Sequence, residues 1–193
     1  MKKIIKILLV CLVTFGLTAC SQENQDTTKT IKWNKENKLD NLISYQIESI
    51  GKPKQIIPDT INDTYTYYKP QKESNVLLDL IVNIKNLKST DLDMTKKLTA
   101  SFKIGDEEYL SALAIVSEDG TSLSQDGIIA GDSSRRVHFY AEVNPKKLDK
   151  QVNFTLSTTK EEPEKASLKF KLDNVDEKYT KMNKLFHFYR DFL

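Results

Sequence analysis

The stretch NVLLDLIVNIKNL, residues 75–87, decides the fold. Within it Leu78, Leu80, Val82 and Ile84 alternate with Asp79, Ile81, Asn83 and Lys85. An extended chain points successive side chains to opposite faces, so this pattern predicts a β-strand with one buried face. Helical spacing fits it worse.

The same alternation recurs on both sides. Upstream, Asn41 to Ile50 sets Ile43, Tyr45 and Ile47 against Ser44, Gln46 and Glu48, before Gly51, Pro53 and Pro58 break it. Thr64 to Tyr68 is a short aromatic run of strand character that Lys69 and Pro70 end. Downstream, Leu98, Ala100, Phe102 and Ile104 alternate with Thr99, Ser101 and Lys103, and Gly105-Asp106 turns the chain into Glu107 to Leu110, a predicted hairpin. Further strands are expected at Ile128 to Ala130, Arg135 to Val143, Gln151 to Ser157 and Ala166 to Leu172, with Ser117 to Gly127 and Asn144 to Lys150 as connections. Seven or eight short strands joined by turn-rich loops predict an all-β chain, a sandwich or barrel. There is no internal repeat.

The two ends differ from this middle. Lys2, Lys3 and Lys6 precede an uncharged run from Ile7 to Phe15, a basic region followed by an apolar one, as in a signal peptide. The run is shorter than the ~20 apolar residues of a spanning helix. It closes on Leu17-Thr18-Ala19-Cys20, which resembles the lipobox of bacterial lipoproteins. That resemblance implies cleavage between Ala19 and Cys20 and a diacylglyceryl group on the Cys20 thiol, giving a palmitate-type anchor on the outer face of a cell membrane. Two acyl chains, at about 0.8 kcal/mol per buried CH₂, would hold the protein there stably.

Ser21 to Lys38 is polar apart from Ile31 and Trp33 and is expected to be a disordered tether, a coil of about 18 residues with a span of roughly 23 Å. At the other end, Met182, Leu185, Phe186, Tyr189, Phe192 and Leu193 recur at helical spacing against Lys181, Lys184, His187 and Arg190. A short amphipathic helix over 176–193 is expected, packed on an open end of the domain or offered to a partner. The expected organisation is thus signal peptide 1–19, lipidated Cys20 and tether 20–38, β-domain 39–175 and helix 176–193.

Charge narrows the partners. Of 29 basic residues three leave with the signal, so 26 face 27 acidic ones, a net charge of about −1. Interspersed, near-neutral charge provides no footprint for nucleic acid. Cys11 lies in the signal and Cys20 would carry lipid, so no thiol remains for a disulfide, a zinc cluster or a nucleophile.

Residues 76–86, a long strand ending in Asn86, together with Ile128-Ile129-Ala130-Gly131-Asp132-Ser133-Ser134 before the strand of Arg135 to Val143, resemble the immunoglobulin-like domains of surface lipoproteins in Gram-positive bacteria. The likeness covers roughly 39–172. Ala130 stands where that family usually has Pro. It implies an immunoglobulin-like antiparallel β-sandwich serving as an adhesion-like or accessory module, and it brings no catalytic residues.

Little in the residues points to catalysis. His138, between Val137 and Phe139, reads as an exposed or satisfied structural histidine, and His187 lies on the polar face of the predicted helix. Gly131-Asp132-Ser133-Ser134 lacks the G-x-S-x-G elbow and reads as a turn. No cofactor is expected, although the loop carboxylates Asp91 and Asp93, or Glu118, Asp119 and Asp126, could ligate Ca²⁺. No EF-hand spacing or phosphate-cradling loop accompanies them.

The preferred contact patch is Tyr65, Tyr67 and Tyr68, an aromatic cluster suited to a ligand or partner protein. The expected function is that of a non-enzymatic binding or accessory module on the extracytoplasmic face of the membrane. Two alternatives stand beside it. One is an envelope hydrolase. The other is a folding or transport accessory that grips its partner through the C-terminal helix.

Overall fold

The computed structural model describes residues 28–172. The signal segment, Ala19, Cys20 and the helix expected over 176–193 lie outside the described residues. In chain order the elements are β1 (Lys29–Thr30), β2 (Asn37–Leu39), β3 (Ile43–Gly51), β4 (Val76–Asn86), β5 (Leu92–Asp93), α1 (Met94–Lys97), β6 (Leu98–Ile104), β7 (Glu107–Leu110), β8 (Ala112–Val116), β9 (Leu123–Ser124), β10 (Ile128–Ile129), β11 (Ser134–Val143), β12 (Val152–Thr158) and β13 (Lys165–Phe170).

They form a β-sandwich. One sheet has the order β2-β3-β4-β11-β8-β9 and the facing sheet β1-β13-β12-β6-β7, while β5 and β10 make a small ladder of their own. The longest pairing is antiparallel β4 with β11, from Val76 opposite Val143 to Lys85 opposite Ser134. Leu78, Leu80, Val82 and Ile84 point inward, as their alternation predicts, and meet Phe102, Phe154 and Leu156 of the facing sheet. Phe154 bridges the layers, with ring centroids 5.1 Å from Phe102 and 5.7 Å from Phe139. Each such side chain contributes about 1.5–3 kcal/mol through burial.

The expectation of a single buried face fails for the first half of β4. Leu77 and Asp79 point outward yet are 2% and 4% exposed. The β3–β4 connection, residues 52–75, folds back over that face, and Ile56 and Tyr68 close a second apolar cluster with Leu77, Ala114, Val116, Leu123 and Tyr140. Alternation alone could not reveal a loop that caps the outer side of a sheet.

Several boundaries also move. The polar stretch expected to be tether is ordered from residue 28: β1 pairs parallel with β13, Ile31 is buried and Trp33 packs against the core. Its two apolar residues supply the reason. Thr64 to Tyr68 is no strand, since only Tyr68 makes a bridge, to Ile56. β8 is an element that alternation missed, because ALAIV is a nearly continuous apolar run lying at the edge of two clusters. Ser117 to Gly127 contains β9, and the strand expected at Ile128 to Ala130 pairs only with β5. In the connection 144–150, Pro145–Lys147 forms a 3-10 turn and Leu148 is buried.

Asn86, at the end of β4, is completely buried. Its Nδ2 donates to the carbonyls of Thr90, Ile129 and Ala130, and its Oδ1 accepts from Lys88 N. This fastens the strand end to the turn before β11. The turn admits no side chain at Gly131, where a Cβ would stand 2.3 Å from Ser89 O. Gly131→Ala is therefore expected to cost about 1–3 kcal/mol in urea unfolding. Gly51→Ala, whose Cβ would meet Pro53 Cδ at an ordinary 3.7 Å, should change stability by no more than about 0.5 kcal/mol. Equal effects at the two positions would contradict this packing.

Candidate functional site

Arg136, His138, Tyr140 and Glu142 alternate along β11, so all four project from the outer face of the six-stranded sheet. Each makes a contact on that face, and three of them hold residues of the 52–75 connection. Arg136 pairs with Glu48 at 2.7 Å and with Asp59. Tyr140 stacks on Tyr68, ring centroids 5.7 Å apart, and its hydroxyl accepts from Gln125 Nε2. The Glu142 carboxylate accepts from Gln71 N, Lys72 N and Asn75 Nδ2 at 2.7 to 3.0 Å. Thr60 N donates to Gly120 O, and Lys54 Nζ donates to the carbonyls of Glu73 and Asn75, joining the two legs of the connection.

The electrostatics follow these contacts. The Gln71 amide, with Asn75 and Lys72, holds the Glu142 carboxyl below the usual carboxylate range despite some desolvation. Burial pushes the Tyr68 and Tyr140 phenols up, so both remain protonated at neutral pH.

His138 does something else. Its ring is buried with Asp79, Nδ1 lying 2.9 Å from Oδ2, and the two side chains are only 7% and 6% exposed. Asp79 Oδ1 and His138 Nε2 are buried and meet no protein partner among the described residues. Both residues line a cleft of about 410 Å³ under the first part of the connection, with Ser49, Gln55, Ile57 and Asp59 among its walls. Ser49 and His138 both oppose Ile81 in register, so Ile81 separates them and the pair is not extended to a serine nucleophile. The reading of His138 as an exposed or satisfied structural histidine is thus refined to a buried side chain paired with a carboxylate. Asp79, read from alternation as a solvent-side residue, is its missed partner. The only sequence signal was a lone carboxylate inside NVLLDLIV.

The three tyrosines divide. Tyr65 and Tyr67 are 37% and 46% exposed in the connection, with ring centroids 6.2 Å apart, and Ile61 of the same connection is exposed too. Tyr68 is half-buried against Tyr140 and anchors the tip.

The loop carboxylates serve turns. Asp93 caps α1 by accepting from Lys96 N, and its carboxyl is pushed down to about 2, first by Lys96 and Thr95. Asp119 accepts from Ser117 Oγ and from Thr121, Asp126 accepts from Ile128 N, and Glu118 pairs with Arg135. Among the described residues no three such side chains are grouped as metal ligands. Ser133 Oγ donates to Ala130 O, so the Gly131 to Ser134 segment is a turn, with Asp132 at φ 56°. His187 lies outside the described residues.

No protein-family model matches the chain, and no curated protein sequence does. Among solved structures it is similar to an uncharacterised β-sandwich protein of Clostridium difficile 630, with 22% identity, 75% of this chain and 95% of that one covered, and a TM-score of 0.61. It is more distantly similar to a candidate lipoprotein, ycdA, of Bacillus subtilis, with 12% identity, 73% and 39% covered and a TM-score of 0.42. A conserved hypothetical protein of Bacillus anthracis gives 14%, 68% and 92%, and 0.44. The first of these likenesses shows the β-sandwich fold.

The Glu142 clamp sets a pH dependence. Its pKa is depressed in the folded state, so its contribution is present above the unfolded value and is lost as pH falls through the folded one. Amide exchange at Gln71 and Lys72, corrected for intrinsic rates, should accelerate as pH drops below the ordinary carboxylate range. Glu142→Gln should show fast exchange already at neutral pH. Unchanged protection in that variant would show that the carboxylate does not hold the connection.

Proposed function

We propose that this protein is a lipid-anchored, extracytoplasmic, non-enzymatic binding module built on an immunoglobulin-like sandwich. The observation that carries the anchoring is Leu17-Thr18-Ala19-Cys20 behind a basic and then apolar N-terminus. β1 begins nine residues after Cys20, a reach of about 30 Å at full extension. A lipid there would hold the sandwich close to the bilayer, closer than a tether running to Lys38 would.

The immunoglobulin-like assignment draws support from strand order. Omitting the short edge strands, β3-β4-β11-β8 faces β13-β12-β6-β7, which matches the A-B-E-D and G-F-C-C′ arrangement of that architecture. The binding role draws support from Tyr65 and Tyr67, rigid aromatic side chains held outward by a clamped connection.

Two measurements test the reading. Palmitate should label the wild type in cells and not Cys20→Ala, and mass spectrometry should find Cys20 as the acylated first residue. An unlabelled wild type with another N-terminus would sink the anchoring. For the tip, Tyr65→Ala with Tyr67→Ala should leave unfolding within about 0.5 kcal/mol of wild type, as surface changes do. The same pair should remove the species that crosslinks to the wild-type protein in envelope fractions, and an unaltered crosslinking pattern would rule the tyrosines out as the contact.

A further inference from the structure

The sandwich has two outer faces, and they differ in cover and in charge. The 52–75 connection lies over the six-stranded sheet, whereas on the five-stranded sheet every outward residue of β6, β12 and β13 is half-exposed or exposed. Register arranges that bare face in rows. Lys103, Asn153 and Lys169 lie side by side across β6, β12 and β13, followed by Ser101, Thr155 and Ser167, and then by Thr99, Ser157 and Lys165. On β7 Glu108 stands opposite Lys103 and Leu110 opposite Ser101, while on β1 Thr30 stands beside Ser167. Directly opposed residues share a face, so these side chains form one surface.

Lys103, Lys165 and Lys169 against Glu108 give this face a net charge of +2. On the opposite side Lys85 and Arg136 stand against Glu48, Asp79 and Glu142, beneath a connection with four lysines and three acidic residues, and the total is zero. Positive charge is thus concentrated on one flat side. Leu110, 82% exposed, adds an apolar side chain there.

The chain places this face beside the proposed anchor. β1, the first strand after Cys20, is the edge of the same sheet. A tether reaching about 30 Å exceeds the sheet's width of about 19 Å across its five strands, so a lipid on Cys20 can sit beneath any part of the face. So short a tether also keeps the face at roughly millimolar effective concentration against the bilayer, where a weak attraction for each lysine suffices.

We propose that the bare face of the five-stranded sheet docks on the bilayer that holds the anchor, with Lys103, Lys165 and Lys169 on the phosphates of anionic lipid headgroups and Leu110 at the headgroup boundary. The inference rests on lipidation of Cys20 and adds an orientation to it. The 52–75 connection, with Tyr65 and Tyr67, is turned away from the membrane and toward a partner.

Cys20 is the only thiol once residues 1–19 are removed, so the mature chain can be joined through it to a maleimide lipid in nanodiscs. Nanodiscs of phosphatidylglycerol and phosphatidylcholine, doped with a gadolinium-chelate lipid, report by methyl NMR which side meets the bilayer. The methyl groups of Leu110, Thr99 and Thr155 should relax severalfold faster than those of Ile57 and Ile61 in the connection. That difference should vanish on pure phosphatidylcholine, and also at about 1 M salt, where the screening length is about 3 Å. Lys103→Glu with Lys169→Glu should abolish it at low salt while leaving thermal unfolding unchanged, since both side chains are exposed. Equal relaxation on the two sides, or faster relaxation of the connection, would overturn the proposal. A preference that persists in the double variant would overturn it too. The chemical coupling bypasses cellular lipidation, so these outcomes leave the anchoring untouched, whereas absent palmitate labelling would remove the anchoring without altering them.

Discussion

The register of β4 against β11 is the constraint on which the other features rest. Ten residue pairs lock Val76–Asn86 to Ser134–Val143, and because side chains alternate, one register assigns every residue of both strands to a face. Inward go Leu78, Leu80, Val82, Val137, Phe139 and Ala141, which build the core between the sheets. Outward go Asp79, Arg136, His138, Tyr140 and Glu142, which build the candidate site. A slip of one residue would bury the charged row and expose the core. The apolar set thus protects the placement of the polar one.

The outer row is unusual for the outside of a sandwich, where solvent normally takes the polar face of an antiparallel sheet. Here residues 52–75 cover it, and what holds them is mostly directional. Glu142 gathers two backbone amides and one side-chain amide, Tyr140 supports Tyr68, and Arg136 reaches Asp59. The Arg136 pairs are half-exposed and each contributes little, about 0–1 kcal/mol. The small cluster around Ile56, Leu77 and Tyr140 contributes through burial. A connection held this way is stiff at its legs and open at its tip, which suits a loop that displays Tyr65 and Tyr67. The Asp79–His138 pair stabilises less clearly, since two groups of this kind lose solvation on burial and only one contact joins them.

Much of the sandwich was legible because a strand with one buried face writes its alternation into the chain, as β6 and β12 do along their length and β3, β4 and β11 do in part. β8 escaped, as ALAIV packs on both sides and has no alternation to read. The aromatic run at Thr64 to Tyr68 misled in the opposite direction. Its strand propensity is real, but propensity reports fit to a pleated, half-buried surface, and this segment has no neighbouring strand. The site was half legible. Tyr65 and Tyr67 could be picked out as an aromatic cluster, whereas the Asp79–His138 pair depends on residues far apart in the chain and on a covering loop. No local pattern encodes either.

Native-state hydrogen exchange measures this hierarchy most directly. The account predicts that the amides of Val82 and Phe139 exchange only through global unfolding, that Ile56 and Tyr68 exchange through a lower-energy opening of the covering connection, and that residues 61–67 are unprotected. Exchange of Val82 or Phe139 through an opening easier than that of Ile56 and Tyr68 would contradict it, because the β4–β11 ladder would then not be the frame on which the site is built.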